Sequence, residues 1–389
     1  MYHLIKSSVK SILDQYYRIK VSHELEQAKK TAEIFEFNVF RKQILKYIGN
    51  QKIQGSELYS FSNSQNGTEI YSNTYALMTF GLLGVVDSIN VDHAFEYIYN
   101  SQSADGLFRD QKLQCELAEK GHHWGWHHLA PHVIIAFDYL KEKPKYDFHN
   151  IIDKFTNHSM SDWLSSLDWK KNYLMTSNQI MNIGVLLQYS RDNFNNKRSG
   201  QLIAEMKDWL FHEKFDEKSI LKNINVNKSK YEISKVVNAI YHIAPLFIYD
   251  HEKEGLPVNA IIKYVLMNQN SIGGFGPNIV TDACQDIDSV YLLSQLGGND
   301  RDVKQSMAQF LDYIFLNRNS NNGFVFKKYG SFSYGGNNLM SSHKNSSNMF
   351  ATWFRTLSIA FACDYMKIPN DFKYSNTSGY QYSGNKNHD

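Results

Sequence analysis

Three carboxylates fall within seven residues in Thr281-Asp282-Ala283-Cys284-Gln285-Asp286-Ile287-Asp288-Ser289, at the opening of a largely apolar stretch. Carboxylates so close repel one another unless one keeps a proton or meets a cation. A carboxyl held protonated near neutral pH is a general acid, and crowding in an apolar cavity is the physical way to make one. Asp288 is the candidate acid and Asp286 its charge partner; the competing reading is that all three merely favour a helix N-terminus through its dipole. Arg355 is the lone charge in Met349-Phe350-Ala351-Thr352-Trp353-Phe354-Arg355-Thr356-Leu357-Ser358-Ile359-Ala360. Such a guanidinium demands an anion, either Asp286 or Asp288 or a substrate group.

Neutral polar side chains recur at helical spacing on other apolar stretches. His123 with His127, and His128 with His132, stand four residues apart, as do Asn178 and Asn182, and Asn238 and His242; Lys235 falls three residues before Asn238. The histidine spacing permits metal binding or proton relay, although no carboxylate completes a recognised motif there. Together these stripes, with Trp353, suggest a cavity lined by hydrogen-bonding groups, more of them than a plain hydrocarbon would need.

The elements that must position these residues are helices. A segment with an aromatic, an aliphatic, three free positions and a polar residue starts at Tyr47-Ile48, Tyr97-Ile98, Trp163-Leu164, Trp209-Leu210, Tyr264-Val265 and Tyr313-Ile314. The spacing, roughly every 50 residues, is that of helix pairs in a repeat architecture. The fullest copies are Tyr97-Ile98-x3-Gln102-x3-Gly106-x-Phe108 and Tyr264-Val265-x3-Gln269-x3-Gly273-x-Phe275, with Tyr313-Ile314-x3-Arg318-x4-Gly323-Phe324 slightly altered. The Gln and Gly positions suit helix ends and turns, and the aromatics the gaps between units. Apolar helices near 70–84, 122–141, 172–190, 231–250, 282–296 and 345–366 alternate with more polar ones near 23–48, 91–102, 148–166, 199–214, 255–269 and 301–318. Six of each predict an all-α double ring, an (α/α)6 toroid in a single domain over 1–373, with the apolar set inside. The first 20 residues read as an extra amphipathic helix, and 374–389, rich in Asn, Ser, Gly and Tyr, as a disordered tail.

Composition narrows the partners. The chain of 389 residues carries 41 basic and 39 acidic side chains, so no basic excess points to nucleic acid or an anionic membrane. Cys115, Cys284 and Cys363 make neither a disulfide framework nor a Cys-x-x-Cys motif. The N-terminus lacks the apolar core of a signal peptide and no stretch reaches 18 apolar residues, which gives a cytoplasmic expectation without a transmembrane segment.

The repeat resembles the signature of the squalene/hopene cyclases and protein prenyltransferase beta subunits, over roughly residues 40 to 366. That resemblance implies a terpenoid cyclase-type toroid. Asp286 and Asp288 then match the first and middle residues of the Asp-x-Asp-Asp motif with which class II cyclases protonate an alkene or epoxide, with Ser289 in place of the last. It implies an acid-catalysed reaction on a polyprenyl or lipid-linked substrate, with Arg355, His127, His128, Trp353, Asn178 and Asn182 contacting that substrate. Gly273-Gly274-Phe275-Gly276 followed by Asp282-x-Cys284 is also similar to the prenyltransferase zinc segment, implicating Asp282 and Cys284. Met349 stands where that family has its third ligand, a His, so only His343 could complete a zinc site; the expectation is no cofactor. Two other functions fit a ring of six helix pairs: a polysaccharide hydrolase, lyase or surface-polysaccharide biosynthesis protein, whose sites use carboxylate, His, Asn and aromatic groups, and a non-catalytic binding toroid.

Overall fold

The computed structural model describes residues 19–113, 125–215 and 229–385. The expected N-terminal helix over the first 20 residues, Cys115, His122 and His123 lie outside the described residues, apart from the helical pair at 19–20. Among the described residues fourteen α-helices follow one another: α1 (19–33), α2 (Phe37–Gly49), α3 (Ile70–Leu82), α4 (Asp92–Tyr99), α5 (Trp126–Leu140), α6 (His149–Ile152), α7 (Met160–Ser166), α8 (Tyr173–Asn193), α9 (Lys197–Lys214), α10 (Lys230–Tyr249), α11 (Val258–Asn268), α12 (Ala283–Leu296), α13 (Arg301–Ile314) and α14 (Met349–Met366). Helices α3, α5, α8, α10, α12 and α14 each pack on the next, and α14 returns to α3, so the six close a ring. The more polar helices lie outside, with α4 against α3, α9 against α8, α11 between α10 and α12, and α13 against α14. The (α/α)6 toroid expected from the sequence is the fold observed.

Inner and outer helices differ as their composition dictates. Every residue of α3 is buried, and nearly all of α12 and α14, because each inner helix is covered by two ring neighbours and an outer helix. The outer α13 buries one face, Val303, Ser306, Met307, Phe310, Leu311, Tyr313 and Ile314, and leaves the other exposed. Two outer stretches are more broken than the periodicity suggests. Glu36 accepts hydrogen bonds from the Asn38 and Val39 N–H groups, starting α2 afresh inside the expected 23–48 helix. Ser159 likewise caps α7 inside the expected 148–166 helix.

The repeated segments join neighbouring units. Gln102 donates to the Gly106 and Tyr146 carbonyls, each at 2.9 Å, and Gln269 donates to those of Gly273 and Ser306 at the same distances. Arg318 reaches Gln43 at 2.6 Å and so ties the last outer helix to the first. The glycines are required by shape: a Cβ on Gly106 (φ 93°) or Gly273 (φ 103°) would stand 2.3 Å from the Asp147 carbonyl oxygen and 2.2 Å from that of Gln309.

Two features depart from the expected plan. A short antiparallel hairpin, β1 (Phe332–Ser333) with β2 (Ser341–Ser342), stands before α14. More consequentially, residues 374–385 are not a disordered tail: they enter the ring and are mostly buried. Among the described residues, no helix is long and apolar enough to cross a membrane.

Candidate active site

The three clustered carboxylates have three different fates. Asp282 is the N-cap of α12, accepting from the Gln285 N–H at 2.9 Å, so the helix-capping reading holds for this residue. Asp286, a turn further, is wholly buried and bound to Arg355 Nη1 at 2.7 Å. It also accepts from the Phe275 N–H at 3.0 Å and the Thr281 hydroxyl at 2.8 Å. Burial raises its carboxyl to about 6, the guanidinium and these donors pulling it back, so it is the anion of the pair at neutral pH. Asp288 accepts no hydrogen bond from a described residue and faces a cavity on the ring axis. Burial, with the nearby Asp282 and Asp286, pushes its carboxyl well above the usual carboxylate range.

Arg355 is fully buried outside the cavity lining, with four of its five N–H groups bound. Its Nε donates to the Val325 carbonyl and its Nη2 to those of Thr281 and Phe326, in addition to the Asp286 bond. The expectation that it binds substrate is corrected: it clamps the loop before α12 and the strap before α14 onto α12. Thr281 completes the clamp, its hydroxyl oxygen lying 2.9 Å from that of Tyr313, the aromatic that opens the sixth repeat.

The axial cavity, of about 180 Å³, sits toward the N-terminal ends of the inner helices. His128 and His132 face it from α5, Asn178 from α8, Asn238, Tyr241 and His242 from α10, Cys284 and Asp288 from α12, and Phe350 and Phe354 from α14. Tyr334 and Tyr380 reach it from the segments before and after α14. His132 donates from Nδ1 to the His128 carbonyl at 2.8 Å, which leaves Nε2 as a buried acceptor with no partner among the described residues. Burial lowers His132 and His242 to about 3, so both are uncharged. His128 Nδ1 lies 3.1 Å from the Tyr71 hydroxyl and 3.3 Å from that of Tyr334. The Asn238 amide oxygen and the Tyr241 hydroxyl find no partner among the described residues.

The remaining sequence candidates divide. His128 and Asn178 line the cavity, as expected. Asn182 lies one turn deeper, fully buried, outside the lining. His127 is turned away by the helical step and meets Asn150 at 3.0 Å, beside Asp105 and Lys154. Trp353 is beneath the cavity, stacked on Tyr75 at 5.1 Å and donating to Gln381. Lys235 pairs with Glu232 at the end of α10, leaving Asn238 and His242 as the facing part of that stripe. Asp282, Cys284 and His343 are not gathered: His343 is exposed on its loop, and among the described residues no three His, Cys, Asp or Glu side chains converge as metal ligands. Tyr334 and Tyr380 gave no signal, since Gly-, Ser- and Asn-rich stretches have no helical period to place them.

A wider surface groove beside α4, of about 790 Å³, lies off the axis. Arg109 pairs with Asp105, while Asp110 accepts from the Ile70 N–H and the Tyr97 hydroxyl.

No protein-family model matches the sequence. No curated protein matches it either. Among solved structures, the chain is similar to a GH76 alpha-mannanase of Bacteroides thetaiotaomicron at 13% identity and a TM-score of 0.49, over 86% of this chain and 97% of that one. An inactive alpha-1,6-mannanase, GH76A of Salegentibacter sp. HEL1_6, in complex with alpha-1,6-mannotriose, gives 9% identity and a TM-score of 0.46, over 84% and 98%. A polysaccharide lyase gives 11% and 0.46, over 85% and 98%. At this distance no residue role passes from them to this chain.

The resemblance to terpenoid cyclases and prenyltransferases is corrected at this point. The structures found similar are two mannanases and a polysaccharide lyase, not cyclases. Within the chain, the Asp286 that matched the first residue of the cyclase motif is bound to Arg355, and the cavity wall mixes His, Asn and Tyr groups with Leu174, Met175, Phe350 and Phe354.

Proposed function

We propose that this chain is an enzyme that cleaves glycosidic linkages, with the axial cavity as its site. One observation carries the reading: Asp288 is a buried carboxyl that accepts no hydrogen bond from a described residue and faces a cavity whose wall holds His, Asn and Tyr groups beside Leu174, Met175, Phe350 and Phe354. A carboxyl that keeps its proton can deliver it to a departing glycosidic oxygen. Uncharged histidines and amides suit sugar hydroxyls, which both donate and accept, and the faces of Tyr380, Tyr241 and Phe354 suit the apolar side of a sugar ring.

Within that class, elimination is favoured over hydrolysis. Hydrolysis uses two carboxylates flanking the bond. Here Asp288 is the sole carboxylate among the described lining residues, because Asp286 is bound to Arg355. Elimination next to a uronate carboxyl needs a base for the ring hydrogen and an acid for the leaving oxygen. His128, held between the Tyr71 and Tyr334 hydroxyls, is the base on offer and Asp288 the acid.

The test is to incubate the protein with acidic and neutral polysaccharides and assay new reducing ends and the ultraviolet absorbance of unsaturated uronates. Both signals together support elimination; reducing ends alone support hydrolysis. Asp288→Asn is expected to abolish either. Full turnover in that variant, or no cleavage of any glycan by the folded parent, would defeat the reading.

A further inference from the structure

The C-terminal segment is built into the ring at the end opposite the cavity mouth. Ser375 and the Asn376 N–H bond to Asp138 on α5, and Ser378 donates to Gln188 on α8 at 2.6 Å. Gln381 accepts from the Trp353 indole of α14 and donates to the Met78 carbonyl of α3 and the Tyr139 hydroxyl of α5. The Gly384 N–H donates to Gln295 of α12, and the Tyr382 ring packs 4.9 Å from that of Tyr249 on α10. All six inner helices therefore hold it.

The segment turns inside the ring, with the Ser375 N–H bonded to the Gln381 carbonyl, and the turn presents Tyr380 upward. Gly379 (φ 121°) makes that turn against Ile135 and Val185. Tyr380 is stacked on His132 with centroids 4.7 Å apart, lies edge-on to Trp353, and is the cavity lining contributed by this segment.

We propose that this segment is the floor of the substrate cavity, making it a blind pocket that takes the terminal sugar of a glycan chain rather than an internal one. The inference rests on the glycan-cleaving reading of the same cavity. An internal sugar continues as polymer on both sides and needs a groove or a through-passage, whereas a ring closed below by Tyr380 leaves room for polymer on one side only. The size agrees: the pocket measures about 180 Å³, and a hexopyranose, with some twelve non-hydrogen atoms at close-packed density, fills roughly 170 Å³.

The experiment follows product length at low conversion on the glycan the full chain cleaves. One small product of fixed size, with the remaining polymer almost undiminished in length, is expected; a ladder of intermediate lengths overturns the blind pocket while leaving the cleavage reading intact. Tyr380→Ala deepens the floor by roughly 100 Å³ and is expected to lengthen the product or spread its size. A product unchanged in that variant overturns the role of the segment. A chain ending at Lys373 is expected to yield mixed lengths if it folds, and Tyr380→Ala decides the matter if it does not. Absence of cleavage of every glycan by the folded parent brings down the cleavage reading and this inference with it.

Discussion

Asp286→Asn should destabilise the protein strongly without touching a substrate contact. Both partners of the Asp286–Arg355 pair have fully buried side chains, 2.7 Å apart. The asparagine keeps an oxygen for the Phe275 N–H and the Thr281 hydroxyl, so what is removed is the charge facing the guanidinium. Arg355 keeps its three carbonyl partners but cannot shed its proton. Breaking one side of a buried pair costs about 3–5 kcal/mol. Over 389 residues the unfolding entropy is roughly 0.8 kcal/mol/K, which turns that cost into a fall of about 4–6 °C in the thermal midpoint. The reverse substitution behaves differently with pH. Arg355→Met strands a carboxyl that already titrates at about 6 beside its guanidinium and moves higher without it. A raised carboxyl stabilises the fold below its unfolded value and loses that contribution as pH climbs through the folded value. Arg355→Met should accordingly cost less at pH about 5 than at about 8, whereas Asp286→Asn, which removes a carboxyl titrating at about 6, should cost less at about 8 than at about 5. Thermal denaturation of the two variants at both pH values is the assay. A midpoint for Asp286→Asn within about 1 °C of the parent, combined with weakened substrate binding in Arg355→Met, would refute the clamp and return Arg355 to the substrate.

Other expectations concern single groups. Asp288→Asn should abolish turnover with nearly unchanged stability in acid, then overtake the parent as pH rises. The parent's raised carboxyl forfeits up to about 1.4 kcal/mol per pH unit above the ordinary carboxylate range, and the amide does not; parallel stability curves in urea would count against the protonated carboxyl. Asn348→Ala removes the N-cap of α14, which accepts from the Ala351 N–H at 2.8 Å, and should cost about 1 kcal/mol in denaturant titration. Gly273→Ala drives a methyl into the Gln309 carbonyl at a positive φ and should cost at least about 2 kcal/mol by the same measurement. A cost below half a kcal/mol there would mean that the turn relaxes freely.

The repeat carried the fold because it encodes contacts between adjacent units. Gln102, Gln269 and their glycines each bridge one helix pair to the next, so their types and spacing are local facts about helix ends that a sequence can display. The alternation of apolar and polar helices is equally local, and it put Asp288, His128 and Asn178 on inner helices. Within a helix, however, a shift of one residue is a rotation of about 100 degrees. That rotation sends His127 outward to Asn150 while His128 faces the axis, and it separates Asp286 from Asp288.

What the chain by itself determined was therefore a closed ring of six helix pairs with acid, imidazole and amide groups on its inner set. Tertiary structure alone decided which of those groups is available. Arg355 is spent because carbonyls from 281, 325 and 326 and the carboxylate of Asp286 meet around it, a coincidence of three separate segments. The final stretch, Tyr374–Asn385, is polar enough to stay disordered on composition alone. It orders because the ring supplies Asp138, Gln188, Gln295 and Tyr139 at the points where its own polar groups would otherwise lose water. A partner set drawn from all six inner helices is a property of the closed ring, and no local pattern in the sequence encodes it.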